Sequence, residues 1–179
     1  MKRILFLSLF LLLAPISINS KNKISFGSAE IMENVTKENI EYKYVIYGDD
    51  NNVMDAGATQ RIEPNITNIG GILELCISAG TGLRNCRYYD TKKNVKSDWF
   101  ETPILTNNKY VVSFNKLTEP TGIIVEDIFD KSKFYKEYGV NFSSDAYPIK
   151  KIKFINDSII WIVYEANENE TETKIIFLR

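Results

Sequence analysis

Glu126, Asp127 and Asp130 form the densest cluster of carboxylates set among apolar residues in this chain, and paired carboxylates are the working groups of glycoside hydrolysis. A catalytic pair stands about 5–9.5 Å apart across a sugar, normally on different strands, a spacing that neighbouring positions on one segment do not establish. Aspartates that follow an apolar run more often close a turn by accepting backbone N–H groups, and Asp127 and Asp130 are read that way. Asp49, Asp50, Asn51, Asn52 and Asp55 gather enough oxygens to suggest calcium. The order fails the EF-hand rule, however, because Val53 occupies a ligand position and no glycine follows, so a solvated loop is expected. The chain contains no histidine, which removes the Ser-His-Asp, Cys-His and zinc-hydrolase arrangements that need an imidazole. Ala79-Gly80-Thr81-Gly82 lacks the Gly-Lys-Ser/Thr ending and the helix of a phosphate loop, so it reads as a tight turn. These residues assemble no catalytic set, and they call for neither a metal nor a cofactor.

Cys76 and Cys86 are the only cysteines. Residues 72–78 read as a strand, 79–83 as a glycine-containing turn and 84–89 as the returning strand. A hairpin symmetric about Thr81 sets the two cysteines opposite each other, about 4.5–5.5 Å apart at Cα, within disulfide reach. Their spacing is not that of a Cys-X-X-Cys redox pair, so a structural staple is expected.

Further strands are expected at 41–47, 109–114, 122–129, 133–138, 149–155, 159–164 and 173–178, each rich in β-branched or aromatic residues and bounded by Gly, Pro, Asn or Asp. Residues 28–40 read as strand and loop, and 167–170 as a hairpin turn. Ile152 and Phe154 alternate with Lys151 and Lys153, the mark of a sheet with one wet side. Ile159-Ile160-Trp161-Ile162-Val163-Tyr164 does not alternate, which predicts a central strand covered on both faces, with Trp161 in the core. Residues 109–130 and 149–179 share the strand rhythm of a β-propeller blade, with room for two blades at most. The predicted fold is all-β and mostly antiparallel, a sandwich or an incomplete propeller-like stack of sheets.

Lys2 and Arg3 precede an apolar run at 4–14 and a small, polar stretch at 15–20, the three regions of a signal peptide. Cleavage is predicted between Ser20 and Lys21, leaving one β-rich domain at 21–179. The apolar run is about half the ~20 residues needed to span a bilayer, so no stable membrane insertion is expected after cleavage. Without Lys2 and Arg3 the 22 basic residues fall to 20 against 23 acidic ones, a net of −3. This mixed, weakly acidic surface argues against nucleic acid as a partner. Five Asn-X-Ser/Thr sequons, at Asn34, Asn65, Asn141, Asn156 and Asn169, are acceptors only in a host that glycosylates them.

Adjacent aromatics on a strand point to opposite faces, so one member of Tyr88-Tyr89 and one of Trp99-Phe100 is expected at the surface. Trp99, Tyr88 and Tyr89 are therefore the candidate binding surface, since exposed Trp and Tyr anchor protein contacts and stack on sugars. The stretch from Cys76 to Asp90, with Trp99-Phe100-Glu101-Thr102-Pro103 after it, resembles segments of small, uncharacterised exported proteins of Gram-negative bacteria. The resemblance covers about half of the chain and implies no functional residues. The expected protein is a periplasmic or secreted, non-enzymatic binder of another envelope protein, of immunity or inhibitor type. The alternatives are a glycan- or peptide-binding envelope module and a carboxylate-dependent glycan hydrolase.

Overall fold

The computed structural model describes residues 23–25, 28–36, 39–143, 148–166 and 170–178, so the predicted signal peptide and most of the predicted turn at 167–170 lie outside the described residues. Among the described residues sixteen strands form four sheets, each from one contiguous stretch of chain and paired antiparallel throughout. Sheet I comprises β1 (Lys23–Ser25), β2 (Ala29–Val35), β3 (Ile40–Tyr47) and β4 (Val53–Gln60). Sheet II comprises β5 (Asn65–Ile69), β6 (Ile72–Gly80) and β7 (Leu83–Asp90), whose outer edge is covered by the short strands β8 (Val95–Lys96) and β9 (Phe100–Glu101). Sheet III comprises β10 (Leu105–Thr106), β11 (Tyr110–Phe114), β12 (Gly122–Asp127) and β13 (Tyr135–Gly139), and sheet IV β14 (Ile149–Asn156), β15 (Ile159–Glu165) and β16 (Thr171–Phe177).

The sheets stack face to face in chain order. Leu73, Leu75 and Tyr89 on one face of sheet II pack on Ala29, Ile31, Tyr44 and Ile46 of sheet I. On the other face, Ile72, Cys76, Cys86 and Tyr88 pack on Val111 of sheet III and Ile128 just beyond it. The far side of sheet III, with Val112, Ile123 and Val125, packs on Ile160, Ile162, Tyr164 and Ile176 of sheet IV. Strands buried on both faces explain why residues 72–77 read as a nearly continuous apolar run.

The all-β, antiparallel prediction is thus correct, with four sheets where the strand rhythm suggested two blades. The underestimate arises in β4 and β5, where Asp55, Gly57, Asn65 and Asn68 are poor strand formers held in place by their neighbours. At Gly57 the register sets Tyr44 opposite, and a Cβ there would come 2.5 Å from the Tyr44 hydroxyl, so the close approach requires glycine. Gly70 and Gly71, at φ 58° and 94°, form the two-residue link of the β5–β6 hairpin, a turn that needs left-handed backbone at both positions.

Strand β15 is central, as predicted, but it is not covered on both faces. Ile160, Ile162 and Tyr164 are buried while Ile159, Trp161 and Val163 are only partly so, because sheet IV ends the stack of described residues. Trp161 accordingly leaves the core and lies on the outer face, where the Lys153 ammonium sits 5.1 Å from its ring centre.

Cys76 and Cys86 face each other in the β6–β7 register with Cα atoms 4.1 Å apart, at disulfide distance. Closing so short a loop contributes about 3 kcal/mol by the loop-entropy relation. Replacing both cysteines by alanine should lower the urea-unfolding free energy by that amount, and non-reducing peptide mapping should find them joined. Two alkylatable thiols in the folded protein would contradict the pairing.

Candidate binding site around Trp99

The edge strand of sheet II is broken, and the break aims a side chain. Tyr89 pairs with Lys96 and Cys86 with Phe100, so β7 advances three residues while the edge advances four. The extra residue makes a β-bulge, a device that redirects side chains at sheet edges. Ser97 fills it, donating its N–H to the Tyr88 carbonyl at 2.9 Å and accepting the Tyr88 N–H on Oγ at 3.0 Å. After the bulge, Trp99 stands beside Arg87, with the guanidinium carbon 4.5 Å from the ring centre. Such a cation–π contact contributes about 0.5–2 kcal/mol.

Arg87 is itself held from the neighbouring sheet. Asp55 of β4 faces sheet II, and its Oδ2 accepts Arg87 Nη1 at 2.9 Å and the Tyr89 hydroxyl at 2.7 Å, with Lys96 Nζ 3.9 Å away. Burial pushes the Asp55 carboxyl up, but the Tyr89 and Arg87 hydrogen bonds and the charges of Lys96 and Arg87 outweigh it and hold the pKa below the ordinary aspartate value. The same carboxylate acts on Tyr89, whose hydroxyl is pushed up first by burial and then by its bond to Asp55. Burial likewise pushes the Tyr88 hydroxyl up, so both phenols of the pair favour the neutral form.

Trp99 is 38 % exposed, and beside it Ile77, Asn85 and Glu101 line a shallow cleft of about 330 Å³. Asn85 pairs with Ile77 on one side and Glu101 on the other, so this row lies next to the row that carries Arg87 and Trp99. An aromatic plane thus stands beside an amide and a carboxylate on one surface, with the hairpin tip and its exposed Leu83 adjoining.

The expectation that Tyr88 or Tyr89 reaches the surface is incorrect, since both are fully buried. Toward the Tyr88-Tyr89 end of β7 sheet II is covered on each side, so both of these side chains meet a neighbouring sheet, while the hairpin end at 83–85 stays exposed. Tyr88 packs edge-on against Phe100, 5.5 Å between ring centres, and its hydroxyl shares a 2.9 Å hydrogen bond with that of Thr106. The apolar, non-alternating run in β6 was the available signal, for a strand paired to a doubly covered strand is doubly covered too. Asp55, Arg87 and Lys96 were missed as a group, because they are brought together by stacking and not by spacing.

Asp127 and Asp130 are engaged in turn formation, and Glu126 lies 3.6 Å from the Lys131 ammonium. Asp127 Oδ1 accepts the N–H groups of Phe129 and Asp130, each at 3.0 Å, and Asp130 Oδ1 accepts the N–H and hydroxyl of Ser132. Glu126 and Asp127 are successive on β12, so they point to opposite faces of sheet III. Asp50, in the loop considered for calcium, accepts the Asn52 N–H at 3.0 Å and its side-chain amide at 2.7 Å, whereas Asp55 belongs to the cluster under Arg87.

Fold and site together define a stacked-sheet, all-β protein with one exposed tryptophan at the sheet edge beside a cysteine-paired hairpin. No protein-family model, no curated protein and no solved structure matches the chain.

Proposed function

We propose that the protein is an exported, non-enzymatic binding module that occupies a partner protein of the cell envelope, in the manner of an immunity or inhibitor protein. The observation that carries the reading is Trp99, exposed yet held by Arg87, which Asp55 fixes from the adjoining sheet. A preorganised aromatic loses little conformational freedom on association, which is how a small surface sustains affinity. The cysteine pair supports an oxidising compartment, and no helix among the described residues is long and apolar enough to cross a membrane. Asp127 and Asp130 support a binding role, because each already accepts hydrogen bonds from the protein's own turns.

Capture from envelope extract with the wild-type protein and with Trp99→Ala tests the reading. The variant should keep its circular dichroism and lose at most about 2 kcal/mol of stability, the upper worth of the contact with Arg87. It should lose more than ~1 kcal/mol of affinity for the captured protein, the mark of an anchor. Capture unaffected by Trp99→Ala would place the contact elsewhere.

A second reading rests on Asn85 and Glu101. Their hydrogen-bonding groups beside the Trp99 ring suit a sugar that stacks on the indole. Envelope glycan fragments would then shift the Trp99 indole resonance in NMR spectra of the wild type and have no effect on an Asn85→Ala variant.

A further inference from the structure

Among the described residues the long edge strands are β4, β14 and β16. An open edge is a template for another chain, and proteins guard it with charged side chains and bulges. The edge strand β14 carries Lys150, Lys151 and Lys153 and breaks its register near both ends, and β16 carries Glu172 and Lys174. The strand β4 has no such guard. Its one charged residue, Asp55, turns inward onto Arg87.

The pairing with β3 fixes which backbone groups of β4 stay open. Just past the strand, the Arg61 N–H donates to the Ile40 carbonyl at 2.8 Å. By the alternation of an antiparallel ladder, Asp55, Gly57 and Thr59 then bond to β3, while Met54, Ala56, Ala58 and Gln60 point their backbone groups outward. Side chains close the first part of that row. Lys96 Nζ donates to the Met54 carbonyl at 3.4 Å, and Asp55 Oδ1 accepts the Ala56 N–H at 3.0 Å. Among the described residues nothing meets the Ala56 carbonyl or the N–H and carbonyl groups of Ala58 and Gln60.

We infer that residues 56–60 of β4 take up an extended segment of the partner protein as a further strand of sheet I, which sets that segment over Trp99. The inference rests on the binding role of Trp99 and names the form of the partner. Asp55 ties β4 to Arg87 and Tyr89 of β7, and at the β3–β4 turn the Asp49 N–H donates to the Thr91 carbonyl at 3.1 Å. Residues 56–60 therefore run on from the level of Arg87 toward the hairpin tip. The next strand position, ~4.8 Å outward, lies over the β8–β9 edge from which Lys96 reaches β4 and at which Trp99 stands. The cleft beside Trp99 is lined from sheet II alone, by Ile77, Asn85, Trp99 and Glu101, so an added strand roofs it. Its side chains opposite Gly57 and Thr59 face inward onto the indole, and the one opposite Ala58 faces solvent. Backbone bonds to the edge supply affinity, and the inward positions select apolar or aromatic residues in a segment free of proline. A second copy of β4 would bring Gly57 and Thr59 to those inward positions and leave Trp99 uncovered.

The test titrates isotope-labelled protein with an end-blocked peptide, Thr-Val-Thr-Phe-Thr-Val-Thr, to about 1 mM, a range that covers weak association. A control is the same peptide N-methylated at every amide. The first peptide should shift the amide resonances of Ala58 and Gln60 together with the Trp99 indole, and slow hydrogen exchange at those two amides at least tenfold. The methylated peptide should do neither. Ala58→Pro removes an outward N–H and no bond to β3, so it should abolish the shifts with unchanged circular dichroism. If that variant loses its fold, the methylated peptide alone decides. Unmoved Ala58 and Gln60 amides overturn the inference, as do pairing at β14 or β16 and equal binding of the methylated peptide. Slowed exchange at the same amides as the free protein is concentrated also overturns it, assigning the edge to a second copy. Capture through Trp99 that survives Ala58→Pro overturns this inference and leaves the Trp99 reading standing. Peptide pairing at β4 that is indifferent to Trp99→Ala sustains the strand addition and overturns Trp99 as the anchor.

Discussion

Replacing Asp55 by alanine should cost about 3–5 kcal/mol of stability, the price of leaving a buried cation without its partner. The side chains of Asp55 and Arg87 are only 13 % and 18 % exposed, so water compensates the lost carboxylate only in part. The loss also strands the Tyr89 hydroxyl and loosens the support beneath Trp99. Urea unfolding measures the effect, and a cost below ~1 kcal/mol would show that the cluster does not hold sheets I and II together. Acid provides an independent reading. The folded-state pKa of Asp55 lies below that of the unfolded chain, so its contribution is complete above the unfolded value of about 3.9 and is lost as pH falls through the folded value. Stability of the wild type should therefore drop on acidification in that window, and Asp55→Asn should flatten the drop. Equal acid dependence in the two proteins would assign the transition to other carboxylates.

Tyr88→Ala should be as damaging, at about 3–5 kcal/mol, because it empties a fully buried aromatic site between sheets II and III. Tyr88→Phe separates the two parts of the side chain. It keeps the contact with Phe100 and removes only the hydrogen bond to Thr106, an expected cost of about 0.5–1.5 kcal/mol. Set beside the milder Trp99→Ala, the pair distinguishes an anchor of the core from an anchor of the surface. A Tyr88→Ala protein that stays folded and loses partner capture would restore Tyr88 to the binding surface.

Much of the fold was legible in the sequence where local signals are strong. The β6–β7 hairpin follows from Cys76 and Cys86 flanking a glycine-bearing turn, and the predicted symmetry about Thr81 is the register observed. The alternation of Ile152 and Phe154 with the lysines of β14 likewise marks an outer sheet correctly. Local signals failed where stacking decides. The strand β4 is built from Asp55, Gly57 and small residues that favour a sheet only because sheet II and Tyr44 are already in place. For the site, Trp99 was identifiable as an adjacent aromatic at a strand edge, but its orientation depends on one extra residue at Ser97 and Asp98 that spacing does not reveal. The apolar run without alternation at 159–164 suggested deep burial for Trp161, yet the number of covered faces depends on how many sheets follow, which is a property of the whole stack.

Because each sheet is cut from one uninterrupted stretch and, among the described residues, shares its buried core with the sheets before and after it, the chain need not be complete for folding to begin. A nascent or translocating polypeptide that appears N-terminus first can close its hairpins as they emerge, and each finished sheet gives the next a template to collapse upon. Loop closure stays short at every step, which removes the slow search that burdens β-proteins with distant strand pairings. The same arrangement makes the molecule extensible over evolutionary time. A sheet gained or lost at either end alters one neighbour contact and leaves the register of the others intact, as in solenoids that vary in repeat number.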